Sequence, residues 1–315
     1  MSRLKTIFMF SGQGSQYYQM GRPLYDGNAV FRYWMDRLDA CGRREAGASA
    51  IGLIYDPKRT RADTFERTPL SGVAIFMVEY ALTMALEAEG LRADLTLGAS
   101  LGTYAAAAVA GAIAPEAALI AILQQSEVVR RHCPPGGMLA IVAEPTLFDL
   151  PELCSRSELA ALNFSGHFAV AGLEHNLVAI ESFLSAKGVI HQRVPVSHAF
   201  HSQWIDAAHA PLLRDFEGLP LAPLRIPLVC CAQARTFHSI PDGFFWSVIR
   251  RPIEFQRTVA ELVREGPFRY VDAGPSGTLA GFLRYLLPAG SPAQVQRVLA
   301  PFGSEIRNFE AAIVV

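Results

Sequence analysis

The stretch TLGASLGTYAAAAVAGA, residues 96–112, does most to limit what this chain can fold into. It reads as the end of a strand, a tight turn carrying Ser100, and the start of an apolar helix. Gly98, Ser100 and Gly102 fit a G-x-S-x-G elbow, in which the serine is lifted out at the top of a sheet and the next residue's N–H faces a developing oxyanion. Five positions with three small residues recur by chance, so the weight lies on context. Here the turn sits between a strand-like and a helix-like segment, as an elbow requires.

Composition narrows the function classes. Of 315 residues, 51 % are apolar and 18 % charged, which describes a compact chain of one large domain or two lobes. A net charge of -1 gives no electrostatic case for nucleic acid or an anionic membrane. The five cysteines form no C-x-x-C pair, and their odd count predicts reduced thiols and a cytoplasmic protein. The opening MSRLKTIFMF is basic then apolar, but the apolar run stops at Ser11, so it reads as a first core strand, not a signal peptide. The apolar stretches near 71–86 and 103–123 are broken by Glu, Gly or Pro, and no membrane span is expected. A monomer is the expectation.

Along the chain, Thr6–Phe10 suits a buried parallel strand, and Gly12 and Gly14 in the following SGQGSQ allow a tight turn that brings Gln13 to a pocket. It is not a dinucleotide fingerprint, because Tyr17 stands where the third glycine would be. Helical spacing covers 28–40, a surface loop with at most a short helix is expected over 41–69, and Ser71–Glu89 reads as a long apolar helix ended by Gly90. Ala93–Leu97 is the strand that delivers the elbow, and Pro115 starts a helix that runs to Arg131. Residues 137–195 then follow a β-α-β-β-α-β order, that of a ferredoxin-like small lobe inserted into a large lobe formed by 1–136 and 196–315. After 196 the pattern predicts helix at 202–216, strand at 226–231, helix at 252–265, strand at 268–272, helix at 277–287, then a last strand and helix.

A serine nucleophile needs a base. Of eight histidines, His198 and His201 in VPVSHAFHSQW lie where the chain returns from the small lobe, and such junctions line clefts. Either imidazole can take the Ser100 proton and return it to a leaving or accepting group. Their spacing also invites zinc, but no Asp, Glu or Cys stands at ligand spacing and no H-E-x-x-H occurs. No acid between Ser100 and His201 marks a main-sheet strand end, and Asp272, followed by G-P-S-G, suits a turn as well as a triad. A Ser-His dyad, its imidazole held by something such as a backbone carbonyl, is the simpler reading.

GQGSQ (12–16), G-x-S-L-G (98–102), NFSGH (163–167), HAFHS (198–202), RRPIEF (250–255) and VDAGPSGTL (271–279) occur in the order found in the malonyl-CoA:acyl-carrier-protein transacylase family. Over essentially its whole length the chain resembles that family, which includes the acyltransferase domains of polyketide synthases. The resemblance implies an α/β fold: an α/β-hydrolase-like large lobe with a parallel sheet, plus the inserted ferredoxin-like lobe. It implies ping-pong chemistry in which Ser100 takes an acyl group from a thioester and His201 is the base. It places the oxyanion donors at the N–H groups of Gln13 and Leu101, and the carbonyl that orients the histidine at Val248. Asn163, His167, His198, Ala99 and Phe200 fall on pocket positions, with His167 where glutamine is usual. No cofactor is implied to be permanently bound; coenzyme A or the phosphopantetheine of an acyl-carrier protein is the substrate group, and acyl-carrier protein and polyketide synthase modules are the expected partners.

Departures from the family pattern carry the specificity argument. The usual G-H-S-L-G-E is here Gly98-Ala99-Ser100-Leu101-Gly102-Thr103. The arginine that clamps a malonyl carboxylate corresponds to Gln125, and a neutral amide cannot replace a bidentate guanidinium. Arg130 lies roughly 7 Å further along the helix and on another side, too far to substitute. HAFH goes with malonyl choice in modular synthases and so conflicts with Gln125; the ionic argument outweighs it, because burying an unpaired carboxylate costs several kcal/mol. The expectation is therefore an uncharged acyl group. Gln-for-Arg members resemble acyl hydrolases that clear blocked carrier proteins, and the tyrosines of GQGSQYYQMG look like that free-standing subgroup. The alternative is an acyl-carrier-protein S-acyltransferase of malonyl/acetyl-CoA transacylase type. A scaffolding homologue without catalysis is disfavoured by the intact serine, histidine and paired glycines.

Overall fold

The computed structural model of the chain describes residues 3–65 and 69–314. Two sheets organise it. The larger has six strands, β1 (Lys5–Phe10), β2 (Leu95–Gly98), β7 (Leu228–Cys230), β8 (Arg235–Phe237), β9 (Phe268–Asp272) and β10 (Gln294–Arg297), in the order β10-β9-β1-β2-β7-β8. It is parallel except at one edge, where β8 returns antiparallel to β7, so the expected parallel sheet is a mixed one. A three-residue β7 leaves only a short turn before β8, and a short connection permits only antiparallel pairing.

The central strands β1 and β2 are in register, with Phe10 opposite Gly98, so the two loops that follow them leave the sheet side by side. These are the SGQGSQ turn and the Ser100 elbow, both at the carboxyl ends of parallel strands, where open α/β sheets bind ligands. Behind the sheet lies the helix Leu70–Ala88, packed against the helices Ala29–Ala46 and Gly102–Val109. It is apolar and long enough to cross a membrane, yet 89% of that window is inside the protein, and it forms the middle of the large-lobe core. The helix Ala29–Ala46 runs past the expected end at 40 into the supposed surface loop: Gly42 is buried against Val73 and Leu119 and stays helical, and the helix ends only where Gly47 adopts φ 70°. Ala50–Ile54 is the short helix of that region, whose residues 66–68 lie outside the described ones.

The smaller sheet comprises β3 (Gly136–Ile141), β4 (Glu158–Phe164), β5 (His167–Leu173) and β6 (His191–Val194), antiparallel in the order β4-β5-β3-β6. Strand alternation separates its faces. Leu139, Ile141, Phe168 and Val170 pack on the helix Glu174–Ala186, while Met138, Ala161 and Ala169 turn towards Val196, Ala199 and Ile253. This second face roofs the large lobe. The lobes are stitched together where Leu162 N–H donates to Ile253 O at 2.8 Å and Ile253 N–H donates to Ala160 O at 2.9 Å. The chain between 226 and 268 holds one helix the periodicity did not predict, Phe244–Arg250, before the expected Phe255–Glu265.

Candidate active site

The elbow is built by close packing. Ser100 takes φ 53°, a strained value for a residue with a Cβ, and lies between β2 and the helix Gly102–Val109. A Cβ on Gly102 would stand 2.2 Å from the Phe10 carbonyl oxygen, so only glycine lets the helix start this close to β1. Gly12 likewise faces the serine: a Cβ there would come within 3.0 Å of Ser100 Cβ.

Ser100 Oγ lies 2.8 Å from His201 Nε2. The other ring nitrogen, Nδ1, donates to the main-chain carbonyl of Arg251 at 2.7 Å, which fixes Nε2 as the lone-pair nitrogen that faces the serine. The orienting carbonyl is thus that of Arg251, not of Val248. Val248 lies inside the helix Phe244–Arg250, whose carbonyls run along the helix axis, and the hydrogen bond from Nδ1 goes to Arg251. Arg251 follows the helix and precedes Pro252, which holds it extended at φ -79° and ψ 152° and turns its carbonyl outwards. His201 is buried, and that burial pushes its pKa down to about 4; the Arg251 hydrogen bond opposes the shift and the nearby Arg250 adds to it. The imidazole is therefore neutral and able to accept a proton near pH 7.

The loop after β1 ties several of its polar groups down. Ser15 Oγ–H donates to Gly12 O at 2.8 Å, Gly14 N–H donates to Gln16 Oε1 at 2.7 Å, and Ser11 N–H donates to Glu79 Oε1 at 2.7 Å. The Gln13 and Leu101 N–H groups have no protein acceptor among the described residues, and both residues line the cavity that holds Ser100. Two free N–H groups beside a nucleophile are what an oxyanion needs. Asp272, weighed as a triad acid, turns the other way: its carboxylate accepts from Gly274 N–H at 2.9 Å and Ala280 N–H at 2.8 Å, and it makes no hydrogen bond to His201.

The cavity, about 370 Å³, runs between the lobes. Ala99, Gln125, Asn163, His167 and Phe200 line it with Ser100 and His201. Met138, Ala140, Ala161, Ala169, Ile253 and Phe282 form the apolar part of its lining, beside the polar Asn163, His167 and Gln192 of the small lobe. Asn163 Nδ2 is 2.9 Å from His167 Nδ1, and burial lowers the pKa of that histidine. Gln125 is buried, and its Oε1 accepts from the Tyr104 hydroxyl at 2.8 Å. His198 does not join this group. It lines a neighbouring cleft of about 900 Å³ with Arg130 and Arg131.

Arg193 lines the cavity too, but it pairs with Leu139 on β3, so its guanidinium lies on the face of the small sheet covered by the helix Glu174–Ala186. It is committed: Glu181 accepts from Nε at 2.8 Å and from Nη2 at 2.9 Å, and Glu174 accepts from Nη1 at 3.2 Å and Nη2 at 3.1 Å. Arg130 is bound to Glu127 in the other cleft. Among the described residues, no group of three or more His, Cys, Asp or Glu is placed to hold a metal ion.

An elbow serine and a buried neutral imidazole, at the carboxyl ends of the parallel strands β1 and β2 and under a ferredoxin-like roof, define a serine-dependent enzyme of acyl transfer or acyl hydrolysis. The chain belongs to the acyl transferase domain family, which it matches over residues 7–309. It is 42% identical over 300 residues to the polyketide biosynthesis acyltransferase homolog BaeD of Bacillus velezensis, covering 95% of this chain and 93% of that protein. It is 39% identical over 303 residues to the homolog PksD of Bacillus subtilis, covering 96% and 94%. Among solved structures, the acyl transferase domain of SpnD in complex with 2-(pent-4-yn-1-yl)malonyl is similar with a TM-score of 0.88 at 26% identity, over 99% of this chain and 75% of that one. The MCAT of Streptococcus pneumoniae shares the fold with a TM-score of 0.80 at 22% identity, over 98% and 100% of the two chains.

The sequence did not single out Arg251, Tyr104 or Glu79. The first was readable from the residue before Pro252. The second lies one helical turn after Ser100, and the third is an acid inside an otherwise apolar helix.

Proposed function

We propose that the protein is an acyl hydrolase acting on non-malonyl acyl thioesters of an acyl-carrier protein in polyketide biosynthesis, through an acyl-Ser100 intermediate. In this reading His201 Nε2 removes the proton from Ser100 as Oγ attacks the thioester carbonyl. The oxyanion is held by the N–H groups of Gln13 and Leu101. The protonated imidazole then gives its proton to the departing phosphopantetheine thiolate, and the tetrahedral intermediate collapses to the acyl-serine. Water repeats the sequence, with His201 again the base, and leaves as part of the free acid.

The observation that carries the choice of acyl group is the tie between Tyr104 and Gln125. Where a malonyl carboxylate would need a guanidinium, the cavity offers a neutral amide, and the guanidinium of Arg193 lies on the other face of the small sheet, bound to Glu174 and Glu181. An unpaired carboxylate there would lose several kcal/mol of hydration without compensation. The apolar part of the lining, Met138, Ala140, Ala161, Ala169, Ile253 and Phe282, accepts an uncharged chain. Similarity to BaeD and PksD, both named as acyltransferase homologs of polyketide biosynthesis, supports the pathway and the carrier-protein partner.

Those names also keep a second reading: transfer of the acyl group to another phosphopantetheine thiol. Incubating the protein with acetyl- and malonyl-loaded carrier protein, and following free acid and protein mass together, separates the two. Rapid release of acetate with little malonate supports the hydrolase. A long-lived acyl-Ser100 discharged only by a thiol establishes the transferase. Equal turnover of both substrates overturns the role given to Gln125.

A further inference from the structure

Of the two acids in the apolar helix Leu70–Ala88, Glu87 near its end is partly exposed, while Glu79 at its middle has no exposed surface. Its Oε1 accepts from Ser11 N–H at 2.7 Å and from Ser11 Oγ–H at 3.2 Å, and its Oε2 has no hydrogen-bond partner among the described residues. No arginine or lysine pairs with it in any described ion pair. The acid is therefore not there to balance a charge.

Its partner explains it. Ser11 is the first residue after β1 and opens the loop that carries Gln13 to the cavity lining. Within 11–16 the other side-chain bonds, Ser15 to Gly12 and Gln16 to Gly14, join the loop only to itself. Among the described residues, the Glu79 bond is the one that anchors this loop to another element. Those local bonds preserve the loop's shape, but they do not fix where it stands relative to Ser100.

We propose that Glu79 is a positioning residue for the reaction: its carboxyl oxygen holds the Ser11 end of the loop so that Gln13 N–H stands where the acyl oxyanion forms. The VDAGPSG segment presses on the same point from the other side. A Cβ on Gly274 would come 2.3 Å from Ser11 Oγ, so Ser11 is held between the helix and that turn. Burial raises the pKa of Glu79 well above the ordinary carboxylate value, with the two Ser11 bonds opposing and nearby Asp272 reinforcing. A neutral acid supplies the acceptor without the cost of a buried charge, and an amide oxygen would serve as well.

The inference rests on the proposed acylation of Ser100, and the test uses that half-reaction alone. The intact protein is mixed with acetyl N-acetylcysteamine thioester, and acyl-Ser100 formation is followed by mass to give a maximal rate and a half-saturating concentration. Glu79→Met is expected to lower the maximal rate by about 10- to 100-fold, below the 10²–10³ that loss of a whole oxyanion donor costs, with half-saturation little changed. Glu79→Gln, which keeps the acceptor oxygen, is expected to remain within a few-fold of wild type. If Glu79→Met does not fold, Gly274→Ala displaces Ser11 without touching Glu79. It should slow acylation in the same way, and Ser11→Ala added to it should restore much of the rate. Glu79→Met or Gly274→Ala at full speed overturns the proposal, as does Glu79→Gln as slow as Glu79→Met. Wild type that forms no adduct at Ser100 overturns the proposed function with it, whereas an active wild type matched by Glu79→Met overturns this inference alone.

Discussion

The Tyr104 hydroxyl donates to Gln125 Oε1 at 2.8 Å, and this bond fixes which end of the amide the cavity meets. Tyr104 is fully buried and stacks on Phe245 with ring centroids 4.6 Å apart at 13°. Burial raises its pKa, so it stays a neutral donor. With its oxygen held by Tyr104, Gln125 has its amide N–H groups, which meet no protein acceptor among the described residues, to offer the acyl group. Such donors suit a neutral oxygen but bring no positive charge to meet a carboxylate.

Gln125→Arg should therefore raise malonyl loading of Ser100 relative to acetyl. A charge-assisted bond worth about 1.5–3 kcal/mol corresponds to roughly 10- to 150-fold in preference. The measurement is the ratio of malonyl- to acetyl-enzyme formed in competition, read by intact mass. A ratio unmoved by the substitution would assign carboxylate recognition to another residue.

Ser100→Ala should abolish covalent labelling by any acyl thioester, while leaving the fold intact by circular dichroism. His201→Ala should retain the nucleophile but lose its base, lowering the acylation rate by about 10²–10⁴-fold. An adduct that persists in Ser100→Ala would move the nucleophile elsewhere.

The pH profile follows from burial. The His201 pKa is lowered from its ordinary 6.5 to about 4, chiefly by desolvation. Protonation would remove the lone pair that faces Ser100, so activity is lost as pH falls through the lowered value and regained as it rises. Plots of kcat/KM against pH should be flat from about pH 5 to neutrality and fall tenfold per unit below about 4. An acid limb near 6.5 would show an imidazole open to water in the free enzyme.

Local chemistry made much of this legible in the sequence. The elbow declared itself because Gly98, Ser100 and Gly102 fall between a strand and a helix, and the β-α-β-β-α-β order announced the small lobe. What stayed hidden depends on packing between distant segments. Glu79 and Ser11 are 68 residues apart, and Tyr104 and Gln125 are 21 apart on different helices. His198 and His201 lie three residues apart in one motif, yet one lines the neighbouring cleft and the other meets Ser100. Only the folded backbone separates two equal candidates of that kind. The antiparallel β8 was missed for a simpler reason: three residues are too few for a hydrophobic period to show.

The main-chain orientation of His201 makes a test that a carboxylate triad would fail. The Arg251 side chain is exposed, and the serine-histidine pair uses only its carbonyl. Arg251→Ala should thus change kcat by no more than a few-fold. Pro252 is different, since it keeps residue 251 out of the helical region and stops the helix Phe244–Arg250 from continuing. Pro252→Ala permits one more helical residue, which would turn the carbonyl towards the helix axis and leave Nδ1–H without an acceptor. The Ile253 bonds to Ala160 and Leu162 hold the next residue in place, so the damage should stay local. The expected result is a fall in kcat of about tenfold or more, part of the 10²–10⁴ that a well-placed base contributes, with KM and melting temperature nearly unchanged. Equal activity of Pro252→Ala and wild type would mean that His201 keeps its tautomer without the Arg251 carbonyl.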